Sequence, residues 1–168
     1  MTLFLAPTDP LLNEEAWDIC PCNIRKEETQ QVVDLLLRIA PEGGCAAPQI
    51  GIQKSVIVID SKEFINPQII WKSEEQTLET EQCLSTGRLC GLVPRAEKIT
   101  VRFYDRNCRL SVQDFSGRTA RLLQHEIDHL DGIRFPDRII NDEHLRWLDE
   151  EETHSPRDGW DQMKNGFA

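Results

Sequence analysis

The sequence predicts an α+β fold, in which strands are grouped between two helices instead of alternating with them. Apolar residues recur at three- and four-residue spacing within 23–40 and again within 116–132, as they do on the buried face of a helix. Between these segments, residues 55–115 contain β-branched runs and period-two alternation, which are typical of strands. This order favours α+β over an alternating α/β arrangement.

The first helix is predicted from Asn23, a residue that commonly caps helix N-termini, to about Ala40. A proline follows at position 41 and would break the helix. Its apolar stripe consists of Val32, Leu36 and Ile39.

Three strand regions follow this helix. Residues 55–60 contain a continuous β-branched run, which indicates a buried strand. Residues 64–71 predict another strand, and Pro67 within it suggests an edge position. Residues 99–104 alternate with period two and lead through a turn into a partner strand at 109–115, which predicts a hairpin.

The second helix carries the pattern H-E-x-x-H as His125, Glu126 and His129. Positions i and i+4 lie on one face of a helix, so the two imidazoles can bind one metal ion. Glu126 stands beside them and can accept a proton from water that the ion activates. Ser116 is the predicted N-cap and Gly132 the stop. The core-facing stripe consists of Ala120, Leu123, Ile127 and Leu130.

Length and composition limit the class of protein. A chain of 168 residues with 39% hydrophobic residues suits one globular domain with a real core. The net charge of -10 argues against nonspecific binding to nucleic acid or to anionic membranes. No apolar run approaches the roughly 20 residues of a membrane span, and Met1 to Pro10 lacks the basic start of a signal peptide. We therefore expect a cytoplasmic protein.

The chain is expected to divide into a catalytic domain, residues 1–140, and a C-terminal segment, residues 141–168. In that segment we predict an acidic helix from Glu143 to Glu152, with Leu145 and Leu148 facing inward, followed by an aromatic tail. The six cysteines are expected to be reduced in this compartment. They are Cys20, Cys22, Cys45, Cys83, Cys90 and Cys108.

A catalytic metal site of this kind needs a third protein ligand and one open position. Two candidates exist: Glu143, which follows the second histidine, and Cys83, which precedes the first. A downstream glutamate occurs in some metalloproteases, and a thiolate is a strong ligand for zinc or iron. Spacing alone leaves the choice open.

Three segments together resemble the peptide deformylase family. They are residues 44–49 (Gly-Cys-Ala-Ala-Pro-Gln), 81–85 (Glu-Gln-Cys-Leu-Ser) and 124–132, which contains H-E-x-x-H. The resemblance implies a peptide-deformylase-like fold, with antiparallel or mixed sheets around a central helix that carries the metal site. It also implies a hydrolase that removes the formyl group from the N-terminal methionine of new polypeptides and releases formate.

The resemblance also assigns roles to residues. It makes Cys83, His125 and His129 the ligands of one divalent metal ion, Fe2+ first, with Zn2+ or Ni2+ as alternatives. Glu126 becomes the general base and acid, while the Gln49 side chain and the Leu84 backbone N–H stabilise the developing oxyanion. The residues implied at the substrate pocket are Gly44, Arg118 and Leu122. Asp128 and Asp131 are candidates for orienting the histidines.

Some positions depart from the family pattern. Gln82 replaces a glycine and is expected to strain or block the backbone there. Glu42 replaces another glycine, and Arg118 stands where relatives often carry a large apolar residue near the methionine pocket. These departures keep two alternatives open: a divergent hydrolase acting on another N-formyl or N-acyl amine, and a non-catalytic binding protein with the same fold.

The C-terminal charge bears on partners. Some deformylases dock on the ribosome through a basic C-terminal helix, whereas this chain has the acidic run Glu150-Glu151-Glu152. That run would face phosphate, so we predict weak or absent ribosome contact.

Overall fold

A computed structural model of the protein describes residues 3–40 and 43–148. Two helices and two antiparallel sheets form its frame. The larger sheet has the order β1-β2-β3-β6-β7, and the smaller has the order β4-β5-β8. The helices are α1, Glu27–Ile39, and α2, Gly117–Leu130. The strands are β1 Gly44–Ala46, β2 Val56–Ile59, β3 Lys62–Lys72, β4 Gln76–Gln82, β5 Leu89–Ala96, β6 Lys98–Tyr104, β7 Leu110–Ser116 and β8 Leu145–Trp147.

The larger sheet separates two apolar cores, one under each helix. In β2 the side chains alternate: Val56 and Val58 join the core on the α1 side, while Ile57 and Ile59 join the core on the α2 side. All four are buried, which explains why this strand has an uninterrupted apolar sequence. The predicted buried strand at 55–60 is therefore confirmed.

The start predicted for the first helix is wrong. Asn23 ends a short 3-10 turn, Pro21–Asn23, and α1 begins four residues later at Glu27. The Asn23 N–H donates to the Cys20 carbonyl (2.7 Å), and the Asn23 carbonyl accepts from the Lys26 N–H (3.0 Å). The chain thus turns twice before the helix begins, and the helix ends at Ile39, as predicted to within one residue.

The predicted edge position of the second strand is also wrong, because β3 is the middle strand of the larger sheet. Its pairing with β6 is irregular between Ile65 and Gln68, and Asn66 adopts a positive φ of 49°. The irregular pairing accommodates Pro67 within the sheet, because proline has no N–H to donate to a neighbouring strand. The Asn66 side chain then ties the bulge to the N-terminal segment, since it bonds both the N–H (2.9 Å) and the carbonyl (2.7 Å) of Ile19.

The hairpin predicted from period-two alternation is confirmed as β6 and β7. Their register runs from Lys98 opposite Ser116 to Tyr104 opposite Leu110. The Asp105 carboxylate closes the turn by accepting from the backbone N–H groups of Asn107 (2.9 Å) and Arg109 (2.8 Å). Such carboxylate–backbone bonds are the reason that aspartate favours turns.

The helix predicted from Glu143 is wrong for the part that the structure describes. Residues Asp142–His144 form a 3-10 turn, and β8 follows, pairing Leu145 with Gly91 of β5. Leu145 packs against the small apolar cluster under this sheet and Leu148 is buried. Leu145 thus belongs to strand β8 and Leu148 is the residue that follows this strand. The predicted aromatic tail lies outside the described residues. Across 3–40 and 43–148, no helix is long and apolar enough to cross a membrane.

Gly132→Ala is expected to destabilise the fold more than Gly117→Ala, although both glycines have positive φ angles, 68° and 57°. An added Cβ at Gly132 would lie 2.7 Å from the Asn13 backbone, whereas at Gly117 the nearest atom is 3.9 Å away. The positive φ costs about 1–2 kcal/mol at either site, and the clash adds about 1–3 kcal/mol at Gly132 alone. Urea unfolding of both variants measures the difference. Equal losses would contradict the close approach of the N-terminal segment to the end of α2.

Candidate active site

Helix α2 is buried on all sides over its last three turns. Every residue from Ala120 to Leu130 is buried, because the helix lies between the two sheets. The predicted stripe is confirmed, with Ala120, Leu123, Ile127 and Leu130 all in the core. The opposite face is buried as well, and it carries polar side chains, which require partners in such a setting.

Three potential metal ligands converge on this polar face. Ligand atoms of Cys83, His125 and His129 all lie within 4.8 Å of one another, and Cys83 Sγ is 3.1 Å from His129 Nε2. Cys83 follows directly after β4 and caps the short 3-10 turn Leu84–Thr86. The backbone of this turn therefore fixes the thiol relative to α2.

Glu143, the alternative third ligand, lies elsewhere. It is exposed in the turn before β8, where its carboxylate and backbone N–H bond the Asn141 side chain. The group of potential ligands found within the described ranges contains Cys83 instead. The structure therefore favours the cysteine that the resemblance implied.

His125 is oriented by Glu81, a residue whose role was not predicted from the sequence. Glu81 is fully buried, and its Oε2 is 2.9 Å from His125 Nδ1. A carboxylate at Nδ1 favours the tautomer whose Nε2 is free to bind a metal. A signal existed: Glu81 precedes Cys83 by two residues in an extended segment, so both side chains project from the same face.

Two arginines keep Glu81 ionised inside the protein. Arg95 bonds both carboxylate oxygens at 2.9 Å, and Arg121 bonds Oε1 at 2.9 Å. Burial alone would raise the pKa of Glu81, but the hydrogen bonds from Arg95 and His125 lower it to about 2. The charged carboxylate can then accept from His125 at any physiological pH.

The predicted role of Asp128 and Asp131 in orienting the histidines is wrong. Asp128 accepts hydrogen bonds from Arg95 and from Arg138, the latter at 2.7 Å and 3.1 Å. Asp131 is exposed at the end of the helix. Asp128 instead extends the buried network that begins at Glu81, because Arg95 joins the two carboxylates.

Glu126 has the properties expected of a group that exchanges protons. It is buried, its Oε2 has no hydrogen-bond partner in the described part of the chain, and burial raises its pKa to about 7. Gly44 makes room for it, since a Cβ at that position would lie 3.0 Å from Glu126 Oε1 and 2.9 Å from the Val58 carbonyl. His129 Nδ1 is also without a partner among the same residues. Unpaired buried polar atoms of this kind often mark functional sites.

The Gln49 side chain is buried beside the thiol. Its Oε1 accepts from the Ala46 N–H (2.7 Å), which fixes the amide orientation. Its Nε2 therefore points toward Ser85 Oγ (3.1 Å) and Cys83 Sγ (3.4 Å). The Leu84 side chain is exposed, but its backbone N–H directly follows Cys83 and, as the first residue of a turn, is not used within that turn.

The three predicted substrate contacts lie in different surroundings. Gly44 lies beside Glu126, in a place where an added Cβ would crowd the carboxylate. Leu122 is buried in the core between α2 and the larger sheet. Arg118 is exposed at the start of α2, pairs with Asp60 (3.2 Å) and lines a groove together with Gly43 and Ser61.

The strain expected at Gln82 is absent. Gln82 closes strand β4 opposite Cys90, and it is not among the described residues with a positive φ. Because the position is ordinary extended backbone, glutamine is accommodated there. Glu42, the other replaced glycine, lies outside the described residues.

The chemistry of the three donors fits a divalent metal. Burial opposes ionisation of Cys83, but the charge of the adjacent His129 and hydrogen bonds to both imidazoles hold the pKa of the thiol well below its ordinary value. A thiolate with two imidazoles suits iron, zinc or nickel. Three protein ligands with room for a fourth are typical of catalytic sites.

Arg121→Met is expected to lower the free energy of unfolding by about 3–5 kcal/mol, the range for breaking one partner of a buried ion pair. Arg121 is buried, and besides Glu81 it donates to the carbonyls of Val93 (3.0 Å) and Thr77 (2.7 Å). The matched control is Arg118→Met on the same helix, whose exposed pair contributes about 0–1 kcal/mol. Denaturant unfolding compares the two variants, and similar losses would show that the buried pair contributes little.

Comparison with known proteins decides the family. A family model described as polypeptide deformylase matches residues 2–144. The chain belongs to the polypeptide deformylase family. A peptide deformylase of Natranaerobius thermophilus is 42% identical over 153 residues, covering 87% of this chain and 94% of the relative.

Other deformylases match over similar ranges. Peptide deformylase 1A of Arabidopsis thaliana, chloroplastic/mitochondrial, is 34% identical over 81% of this chain, which spans 60% of the length of that relative. The Met-Ala-Ser-bound crystal structure of a class I type b peptide deformylase from Acinetobacter baumannii aligns with a TM-score of 0.78 and 29% identity, covering 81% of this chain and 96% of that one. These deformylase matches confirm the predicted α+β, deformylase-like fold and the predicted enzyme class.

Proposed function

We propose that this chain removes the formyl group from the N-terminal methionine of newly made polypeptides and releases formate. The observation that carries the proposal is the convergence of Cys83, His125 and His129 beside a buried Glu126 carboxylate that has an unpaired oxygen in the described part of the chain. Relatives named as peptide deformylases support the same reaction.

The cofactor proposed is one divalent metal ion, Fe2+ first, with Zn2+ or Ni2+ as alternatives. Cys83, His125 and His129 would hold it, and Glu81 would keep His125 in the required orientation. Such an ion supplies Lewis acidity, which polarises a carbonyl oxygen and lowers the pKa of water. Availability, more than these ligands, selects among the three metals.

Glu126 would act as general base and then as general acid. A carboxyl group whose pKa is raised to about 7 can take a proton from the attacking water near neutral pH and then donate it to the leaving amine. Because Gly44 has no side chain, the Glu126 carboxylate can lie close to the first strand.

Gln49 and Leu84 would stabilise the charge that develops on the formyl oxygen. The Gln49 Nε2 and the Leu84 backbone N–H flank Cys83, one from the 3-10 turn after β1 and the other from the turn after β4. Donors fixed before the reaction need no reorganisation, and losing one costs about 3–4 kcal/mol of transition-state stabilisation.

Substrate contacts are proposed at Gly44, Arg118 and Leu122. The Arg118–Asp60 pair would place opposite charges at the groove beside Gly43. A charged rim keeps open the alternative that the enzyme prefers an N-formyl or N-acyl amine other than formyl-methionine.

The test is formate release from formyl-Met-Ala by protein purified and metal-loaded without air, compared with acetate release from acetyl-Met-Ala. Formate release with little acetate would support the proposal. Preference for the acetyl peptide, or for formyl peptides lacking methionine, would favour the divergent alternative. No release from any of them by a protein with a full complement of metal would overturn the proposal.

We also propose a cytoplasmic location and weak or absent ribosome contact. The acidic run at 150–152 carries the second proposal, because ribosomal RNA presents phosphate to any docking segment. Cosedimentation with ribosomes at low salt should leave most of the protein in the supernatant. Tight pelleting that added salt reverses would contradict this expectation.

A further inference from the structure

A buried serine lies beside the groups proposed to stabilise the oxyanion. Ser85 follows Leu84 in the 3-10 turn after β4, and its side chain is buried. Its Oγ accepts a hydrogen bond from Gln49 Nε2 at 3.1 Å. This hydroxyl has no part in the reaction as proposed above, although the Gln49 amide that it bonds does.

The Gln49 amide is held at both of its polar atoms. Its Oε1 accepts from the Ala46 N–H at 2.7 Å, and its Nε2 donates to Ser85 Oγ. The first contact comes from β1 and the second from the turn after β4, so the two anchors lie far apart in the chain. The last torsion of a glutamine side chain is broad. Two anchors therefore define the plane of this amide more closely than one would.

The contact with Ser85 also determines how the two Nε2 hydrogens are used. A primary amide has two N–H donors and one carbonyl oxygen. The Ser85 oxygen accepts one of these donors, and Nε2 lies 3.4 Å from Cys83 Sγ, so the second donor is directed toward the converging ligands. A donor that is fixed in direction before the reaction needs no reorganisation when charge develops.

The turn after β4 has hydrogen bonds of its own that do not involve the Ser85 hydroxyl. The Ser85 backbone N–H donates to Cys83 Sγ at 3.4 Å, and the Thr86 hydroxyl donates to the Cys83 carbonyl at 2.9 Å. The Ser85 Oγ instead bonds a side chain 36 residues away in the sequence. Removing this hydroxyl should therefore disturb the Gln49 amide more than it disturbs the turn.

We propose that Ser85 is a positioning residue for the deformylation proposed above. Its hydroxyl accepts one Gln49 Nε2 hydrogen and thereby keeps the other directed at the formyl oxygen as negative charge develops there. The inference rests on the proposed function, because Ser85 acts only through Gln49 and only on a reaction that forms an oxyanion.

The first test is Ser85→Ala in the metal-loaded protein, with formate release from formyl-Met-Ala as the readout. We expect kcat to fall about 10-fold, less than the roughly 100–1,000-fold cost of removing an oxyanion donor outright. KM should change little, because the orientation of the amide matters most as charge develops. The matched control is Ser55→Ala, which removes the hydroxyl of another buried serine, at the start of β2, and should keep the parent kcat.

A double-mutant cycle separates positioning from a general effect on the fold. Gln49→Met removes the amide, so adding Ser85→Ala to it should lower kcat no further. A hydroxyl that only supported the fold would lower kcat to the same extent in both backgrounds. Metal content and urea unfolding of each variant show whether the ligands and the fold are intact.

Nuclear magnetic resonance detects the contact without turnover. In the zinc-loaded protein, the two Gln49 Nε2 hydrogens can be assigned through the bonded side-chain carbons. We expect both to exchange slowly with water in the parent protein, and to shift in Ser85→Ala by more than the Ala46 backbone N–H does. The parent measurement requires no variant, so it applies even if Ser85→Ala fails to fold.

Three results would each overturn the proposal: unchanged kcat in Ser85→Ala, an equal further loss in the Gln49→Met background, or fast exchange of both Gln49 Nε2 hydrogens in the parent. If the parent protein releases no formate with a full complement of metal, the proposed function fails and the role of Ser85 fails with it. If the parent is active and Ser85→Ala matches it, only the inference about Ser85 fails.

Discussion

Glu126→Gln is expected to lower turnover by orders of magnitude while the protein still binds its metal through Cys83, His125 and His129. The amide is nearly isosteric with the carboxylate, and the Glu126 Oε2 makes no hydrogen bond within the described residues that the change would break. An amide cannot take a proton from water, so kcat should fall by about 10²–10⁴-fold, the usual contribution of a general base. Steady-state formate release and metal content of the same sample give the two measurements.

The matched control is Glu143→Gln, which changes an exposed carboxylate in the turn before β8. It should retain both metal and activity, since Glu143 lies outside the group of converging ligands. Unchanged turnover in Glu126→Gln would remove the general-base role and support a binding protein with this fold. Loss of metal in Glu126→Gln would instead show that the carboxylate helps to hold the site together.

The metal-binding pair could be predicted because it depends on local geometry. His125 and His129 lie on one face of α2 because they are four residues apart in a helix. The apolar periodicity within the same stretch of sequence was enough to predict that helix. The β6–β7 hairpin was predictable for the same reason, since its two strands and its turn are adjacent in the sequence. Patterns of this kind require no knowledge of distant partners.

The parts that failed depend on distant partners. The smaller sheet was not predicted, since β4 is largely polar on both faces and is defined by its pairing with β5. The acidic segment at 143–148 has weak helix signals, which pairing of Leu145 with Gly91 overrides. Similarly, Pro67 suggested an edge strand, but a bulge admits it into the middle of the sheet.

The same reasoning explains what was missed around the metal ligands. Asp128 stood next to a histidine in sequence and was expected to orient it, but its partners are Arg95 and Arg138. Glu81 orients His125 because β4 passes beside α2, a contact between residues far apart in the chain. A buried carboxylate needs a cationic partner, and a buried arginine needs an anionic one. The burial of Arg121 in α2 is therefore explained by its bond to Glu81.

Cys83→Ala is expected to lose the metal and, with it, the activity. Of the three converging groups, the thiol alone carries a negative charge when ionised. Without it, the two buried imidazoles would have to bind a divalent cation with no thiolate to offset its charge. Changes outside the immediate ligand set already weaken metal binding by about 10–100-fold, so loss of a ligand should exceed that range. Competition with a chromogenic chelator measures the affinity without relying on turnover.

Cys45→Ala is the matched control, because Cys45 is also a buried thiol close to Glu126. Burial raises the pKa of Cys45, so it is neutral, and its Sγ contacts the Ala46 carbonyl at 3.6 Å. Removing it should leave the metal affinity unchanged even if stability falls. If Cys83→Ala kept stoichiometric metal while Glu143→Gln lost it, the third ligand would be the glutamate and the deformylase geometry argued from Cys83 would be wrong. Loss in both cysteine variants would point to a general collapse of the core, since only Cys83 lies within reach of both histidines.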